Sequence, residues 1–372
     1  MTKPILFCAT GITHSVGGIA SANRNVLAAL QSLAQETGGA VKVLALGENT
    51  TSKPDYRTFG GDKIRFALAA ARAALTSRLV VFDHVQLAAP VMALPAFFRP
   101  PVVICAHGSE ATWRIRSSSV RAFQRADLVL TNSHYTLGRM GGFVGTFAGR
   151  ACPLGLPPQF EVQPAPPVAP AASLSFTAVD GEVRRMGSRV LVLVSRMDAS
   201  EREKGHRELL GVFPRLLSAF PDAQLVLVGS GSDLEPLREA ARASSAATGI
   251  FLPGRMDAQD LEELYRAAYA YVMPSRQEGF GLAYLEAMNF AKPCLACRDD
   301  GGGEVVVDQE TGLLIPRAFT EDELFSALQT LLADPARARE FGEAGWRRLI
   351  SQYTSAAHQH RVEALIRPLL AS

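Results

Sequence analysis

The sequence predicts an α/β fold built from two doubly wound, Rossmann-like domains. Two observations carry this reading. Short apolar runs rich in β-branched residues alternate with helical stretches, first over "PILFCAT", "VKVLALG", "RLVVFD", "PVVICAHG" and "ADLVLTNS". The alternation resumes over "SRVLVLVSR", "AQLVLVGS", "GIFLPG", "AYVMPS" and "KPCLAC", and this is the pattern of parallel sheets covered by helices. Between the two series lies a stretch rich in Pro and Ala without sustained periodicity, unsuited to extending either sheet. With 372 residues to divide, the boundaries fall at 1–165 for the first domain, 166–188 for a linker and 189–352 for the second. From about 321 onward the apolar positions recur at helical spacing, with a break at Pro335.

Composition narrows the class. Apolar residues make up 48% and charged residues 20%, and no uninterrupted apolar run is long enough to span a bilayer. The opening "MTKPILFCATG" reads as a first strand rather than a signal peptide. Five cysteines, an odd number set mostly in apolar strands, suit buried thiols in a reducing, cytoplasmic compartment. The pair Cys294 and Cys297 has the C-x-x-C spacing but no second Cys or His pair to complete a zinc site. The net charge of +2 is unevenly spread: residues 1–188 carry 18 Lys and Arg against 10 Asp and Glu, residues 189–372 carry 20 against 26. A basic half suits an anionic partner, either a phosphorylated substrate or an anionic membrane surface, and is equally compatible with ordinary surface variation.

In open α/β sheets ligands bind beyond the carboxyl ends of the strands, so the loops there are the places to search. After the first strand, Gly17 and Gly18 precede a helix, where backbone N–H groups and the helix dipole favour an anion, although the glycines taken alone mark a plain turn more often than a phosphate site. The pattern is not G-x-G-x-x-G and no acid directly closes the next strand, which argues against a nicotinamide dehydrogenase. His107 closes a buried strand and suits a hydrogen bond to a sugar hydroxyl, proton transfer or loop packing. His14 and the Asp83-His84-Val85 run occupy similar strand ends and read first as structural.

In the second half Arg196 ends a strand and Lys204 precedes the next helix; together they would neutralise a diphosphate, unless Glu201 and Glu203 absorb them in a solvated loop. The stretch "MPSRQEGFGLAYLEAM" at 273–288 places Glu278 in a strand-to-helix loop and Glu286 about one and a half turns into the helix. The N–H groups from Gly279 through Gly281 to Leu282 lie at the helix start, where a phosphate is their natural partner. An ionised carboxylate on each side can only accept hydrogen bonds, and a nucleotide sugar offers hydroxyls on both sides, one set on its sugar and one on its ribose. A glycosidase pair would need both carboxyls to flank one bond.

These residues resemble the retaining glycosyltransferases of family 4, whose two-Rossmann architecture is called GT-B. The resemblance rests on "VSRM", "EKGH", "LVLVGSGSD", "LPGRMDAQDLEELYRAA", the E-x7-E stretch and "GGGEVVVDQETGLLIP", all in the family's order. The first half matches in outline only, through Gly17, Gly18 and His107. The resemblance implies two domains facing across a cleft, with residues after about 353 crossing back to the first. It also implies that Arg196 and Lys204 hold the donor diphosphate with Gly17 closing from the other domain, and that Glu286 binds the ribose. Glu278 would contact the transferred sugar with the backbone of Phe280 to Leu282, and His107 would reach that sugar. Gly254, Arg255 and Met256 would lie beside the base. The implied activity is transfer of a hexose from a UDP- or GDP-sugar to a glycan or lipid-linked oligosaccharide, with nucleic acid playing no part. No D-x-D follows a strand, so neither metal nor other cofactor is expected. An epimerase or phosphorylase of the same fold and a non-catalytic sugar-nucleotide-binding protein are the competing readings.

Overall fold

The computed structural model of the protein describes residues 2–13, 17–49, 54–108, 116–167 and 174–371. His14, residues 50–53 and residues 109–115, with Trp113 and Arg114 among them, lie outside the described residues. The chain divides into two compact units, Met1–Pro158 with Tyr353–Ser372 and Gln159–Gln352.

The first unit is a parallel sheet of β1 (Ile5–Ala9), β2 (Val41–Ala45), β3 (Tyr56–Thr58), β4 (Leu79–Phe82), β5 (Val102–Ala106), β6 (Leu128–Thr131) and β7 (Gly149–Ala151), in the order β3-β2-β1-β4-β5-β6-β7. Successive strand side chains point to opposite faces, and both faces of β1 are buried. Ile5, Phe7 and Ala9 pack with Leu30 and Leu33 of α1 (Gly18–Glu36) and with Val362 and Ile366 of the C-terminal helix. Leu6 and Cys8 face the other layer, formed by α2 (Lys63–Ala74), α3 (Val85–Met92), α4 (Ser117–Arg125) and α5 (His134–Val144).

The second unit repeats the plan with β10 (Arg189–Val194), β11 (Ala223–Val228), β12 (Ile250–Gly254), β13 (Ala270–Val272), β14 (Cys294–Cys297) and β15 (Gly312–Ile315), ordered β12-β11-β10-β13-β14-β15 and all parallel. Its helices are α6 (His206–Ala219), α7 (Leu234–Arg242), α8 (Ala258–Ala267), α9 (Leu282–Asn289), α10 (Gly302–Val305), α11 (Glu321–Ala333) and α12 (Pro335–Gln352).

The segment read as a linker at 166–188 needs correction. Residues from 174 onward form an antiparallel hairpin of β8 (Ser175–Thr177) and β9 (Val183–Arg185). Ala178 and Met186 of this hairpin are buried with Val190 and Val192, so burial of its apolar residues fixes it to the second unit. The boundary also moves back from 165 to 158. Gln163 donates its amide to Asn289 Oδ1 at 3.0 Å and accepts from Trp346 Nε1 at 3.1 Å, tying residues just past Pro158 to the second unit.

The C-terminal helix α13 (Ser355–Ala371) belongs to the first unit. Leu156 donates its amide to Tyr353 O at 2.7 Å, Ser355 Oγ donates to Leu156 O at 2.7 Å, and Arg361 Nη2 donates to Pro153 O at 2.8 Å. Gly155 makes this docking close: a Cβ there would lie 2.5 Å from Thr354 O and 2.9 Å from His358 Cβ. Overpacking of this kind costs about 1–3 kcal/mol. Gly155→Ala is expected to lower stability by that amount in denaturant unfolding; a wild-type midpoint would show that α13 is not held this tightly.

Candidate functional site

In the second unit β10 has β11 on one side and β13 on the other, and the chain winds away in opposite directions from this point. Such a switch point leaves a crevice at the carboxyl ends of the two central strands. Two loops rim it, one after β10 carrying Arg196 and Lys204 and one after β13 carrying Glu278.

Lys204 and Glu278 meet there. Lys204 Nζ donates to Glu278 Oε2 at 2.7 Å, with both side chains largely buried. Burial works against the ammonium, but the charge and hydrogen bond of Glu278, with Glu201 farther off, outweigh it and hold the Lys204 pKa above the ordinary lysine value against the opposing charge of Arg196. Two glycines permit the meeting. Gly205 has φ of +91°, and a Cβ would lie 2.6 Å from Pro274 Cγ, so the turn after Lys204 presses on the exit of β13. Gly281 also has φ of +91°, and a Cβ would lie 2.3 Å from the Tyr284 ring, so only glycine turns the loop into α9 here. Glu278 Oε1 accepts from the amides of Gly279 and Phe280 at 3.1 and 3.4 Å, and the Phe280 side chain is buried.

Glu286 sits farther along α9, accepting from the Tyr265 hydroxyl at 2.9 Å. Tyr265 is itself fully buried and stacked on Phe290, with centroids 5.8 Å apart. Burial pushes the Glu286 carboxyl up to about 7, against the lowering effect of the Tyr265 hydrogen bond. Arg196 is less engaged than its strand-end position suggests: its guanidinium is mostly exposed and paired with Glu201, the arrangement of a solvated loop. Arg255 is exposed, while Met256 packs against the core under β10 and β11. Sequence reading missed Tyr265 and the buried acid Asp300, whose Oδ2 accepts from the Glu278 amide at 3.1 Å. The cysteines are buried free thiols, and burial pushes Cys297 up to about 12. Among the described residues no group of three or more His, Cys, Asp or Glu is placed to hold a metal ion.

The remaining candidates belong to the first unit. Gly17 and Gly18 are exposed at the start of α1, with Gly17 capping it at φ of +113°. Thr10, Ile12 and Thr13, just after β1, are held by two acids that sequence reading left out of the site. Asp83 Oδ2 accepts from the Thr10 amide and hydroxyl at 2.7 and 2.6 Å and from Asn23 Nδ2 at 2.7 Å. Glu48 Oε1 accepts from the amides of Ile12 and Thr13 at 2.6 and 2.5 Å. His107 is half-buried at the end of β5, lining a cavity of about 20 Å³ with Cys105, Asn132, Cys152 and His358, roughly the room one water needs.

A carboxyl raised on folding binds its proton more tightly in the native state, so Glu286 contributes stability at acid pH that is lost as pH rises from its unfolded value near 4.5 through about 7. Urea unfolding across this window is expected to show wild-type stability falling with pH and Glu286→Gln flattening the slope. An unchanged slope would mean that the Glu286 carboxyl is ionised throughout.

Residues 180–348 match the family model described as glycosyl transferases group 1. The chain is 31% identical over 256 residues to a GDP-mannose-dependent alpha-(1-6)-phosphatidylinositol monomannoside mannosyltransferase of Mycolicibacterium smegmatis, covering 66% of this chain and 64% of that protein. It is thus similar to less than two thirds of that relative's length. Among solved structures, sucrose-phosphate synthase from Thermosynechococcus elongatus superposes with a TM-score of 0.74 at 22% identity, covering 99% of both chains. Anabaena HepE, in complex with UDP and glucose, superposes with a TM-score of 0.70 at 17% identity, covering all of both. With the two parallel sheets, these likenesses show the GT-B fold. The family match lies on the unit that carries the Lys204–Glu278 pair, while the likeness in fold spans the whole chain.

Proposed function

We propose that the protein transfers a hexose from a UDP- or GDP-sugar to a glycan or lipid-linked acceptor, with retention of anomeric configuration and without a metal. The observation that carries this reading is the buried Lys204–Glu278 pair at the switch-point crevice, inside the stretch that matches the family model. The GDP-mannose dependence of the mycobacterial relative and the UDP held by HepE support a nucleoside-diphosphate donor and leave both bases open.

An ammonium has three donors, so Lys204 keeps Glu278 with one and offers the others to a diphosphate. The N–H groups heading α9 and the guanidinium of Arg196, once released from Glu201, add to that positive end. Glu278 accepts from hydroxyls of the sugar and Glu286 from the ribose. In the transfer, the bond between the anomeric carbon and the phosphate oxygen breaks as the acceptor oxygen bonds on the same face. The departing phosphate oxygen takes the acceptor's proton, so no side chain acts as nucleophile.

The assignment predicts an asymmetry. Loss of a hydrogen bond to a charged group is worth roughly 1.5–3 kcal/mol, about ten- to a hundredfold. Glu286→Ala is expected to weaken donor binding by that factor with kcat little changed, and Glu278→Ala to lower kcat by that factor with donor affinity nearly kept. Equal losses in both parameters for both variants would contradict the roles. Release of an isomerised or phosphorylated sugar instead of a transferred one would favour an epimerase or phosphorylase.

Peripheral membrane binding is proposed for the first unit. Among the described residues no helix is long and apolar enough to cross a membrane. Phe97 and Phe98 are 80% and 57% exposed on a Pro-flanked turn beside Arg99, and Arg99 Nη2 donates to the carbonyl of Arg125 on the basic helix α4. Aromatic and cationic groups together suit an anionic interface. The protein is expected to float with vesicles containing anionic lipid and to lose this with Phe97→Ser/Phe98→Ser; no flotation at any anionic content would remove the idea.

A further inference from the structure

The loop after β14, residues 298–303, enters the sequence reading only through Gly301, Gly302 and Gly303 at the head of a family stretch, yet it is bolted to the Glu278 loop. Gly301 donates its amide to the carbonyl of Glu278 at 2.8 Å. A Cβ on Gly301 would lie 2.2 Å from Gly279 O, so the two backbones touch. Between them Asp300 is 3% exposed. Its Oδ2 accepts from the Glu278 amide at 3.1 Å, and its Oδ1 accepts from Gly302 and Gly303 at 2.8 and 3.3 Å.

We propose that Asp300 is a positioning residue for the transfer reaction, fixing the backbone of Glu278 and through it the Lys204–Glu278 pair. The proposal rests on the transferase reading given above. A residue with one acceptor oxygen cannot serve amides on both loops, because each carboxylate oxygen faces a different loop. The titratable groups facing Asp300 are Glu278 across the loop, Tyr284 from α9 and Cys297 at the end of β14, with Lys204 one step beyond on Glu278. Burial, then the charge of Glu278, pushes the Asp300 carboxyl up to about 7, against the three amide hydrogen bonds. Its ionised form is the one that accepts on both oxygens. As pH falls through this value Asp300 gains a proton, gives up part of the clamp and loosens Glu278.

Two measurements on the full-length protein test this. In spectra of [15N]glycine-labelled protein, the Gly279, Gly301, Gly302 and Gly303 amides are expected to titrate together with a midpoint near 7, and Asp300→Asn to abolish the titration. This readout needs no substrate, so it stands even if no donor is turned over. In a transfer assay, Asp300→Asn is expected to lower kcat about tenfold while KM for the donor stays within about threefold, and to remove an acid limb from the wild-type kcat profile. Asp300→Glu keeps the carboxylate and is expected to restore part of kcat and the limb. Glycine amides that fail to titrate together, or a titration or acid limb that persists in Asp300→Asn, would overturn the proposal. If the amides titrate as expected but no sugar is transferred from any donor, the clamp stands and the transferase reading fails.

Discussion

One ammonium and one carboxylate, 2.7 Å apart and 74 residues apart in sequence, organise the second unit's crevice. Both side chains are largely buried and Glu278 holds the Lys204 ammonium charged; removing either would leave the other buried without compensation, which costs far more than the pair contributes. Much of the nearby backbone serves to bring them together. Gly205 sets the turn that delivers Lys204, Gly281 sets the turn that ends the Glu278 loop, and Pro274 fills the contact between the two segments. The pair is placed by strands β10 and β13, which lie side by side in the sheet, so its geometry inherits the rigidity of the sheet.

Three carboxyl groups of this region, Glu278, Glu286 and Asp300, would seem to repel an anionic ligand. Burial changes that account. Glu286 and Asp300 are both pushed up to about 7, so near neutrality each spends much of its time protonated. The negative charge opposing an anionic ligand is therefore smaller than the residue count suggests, while the Lys204 ammonium is kept charged by Glu278. Glu286, protonated for part of the time, also gains a donor, whereas both oxygens of Asp300 are already taken by amides.

The parts of the fold that were legible are those where one physical signal dominates. Runs such as Val190–Leu193 and Leu225–Val228 are buried on both faces, as central parallel strands are. The edge strands β3 and β7, "YRT" and "GRA", carry no apolar run because an edge strand has little to bury. The β8–β9 hairpin was hidden by its Pro- and Ala-rich approach, although Asp180-Gly181 between alternating residues is a hairpin signal in its own right. For the site, Lys204 and Glu278 were found because they sit at strand ends among glycines. Tyr265 and Asp300 went unseen because nothing local shows that Tyr265 meets Glu286 or that Asp300 is covered by a loop more than twenty residues earlier. Arg196 also sits at a strand end, and there it pairs with Glu201, five residues on, at little cost in chain closure.

The Glu278 loop also shows how a polar residue is made stiff without backbone strain at its own position. Phe280, two residues on, is 2% exposed and anchors the loop in the core, while the carbonyl of Glu278 is held by Gly301 and its amide by Asp300. With both backbone polar groups satisfied and an apolar anchor next to them, the only freedom left to Glu278 is in its side chain, and Lys204 takes most of that. Glu286 reaches the same end by another route, a helix interior position with the hydroxyl of a buried tyrosine pressed against one oxygen. A ligand arriving between them therefore meets two acids whose positions are set before it binds, and the ordering cost of binding falls on the ligand and on the exposed Arg196 rather than on the acids.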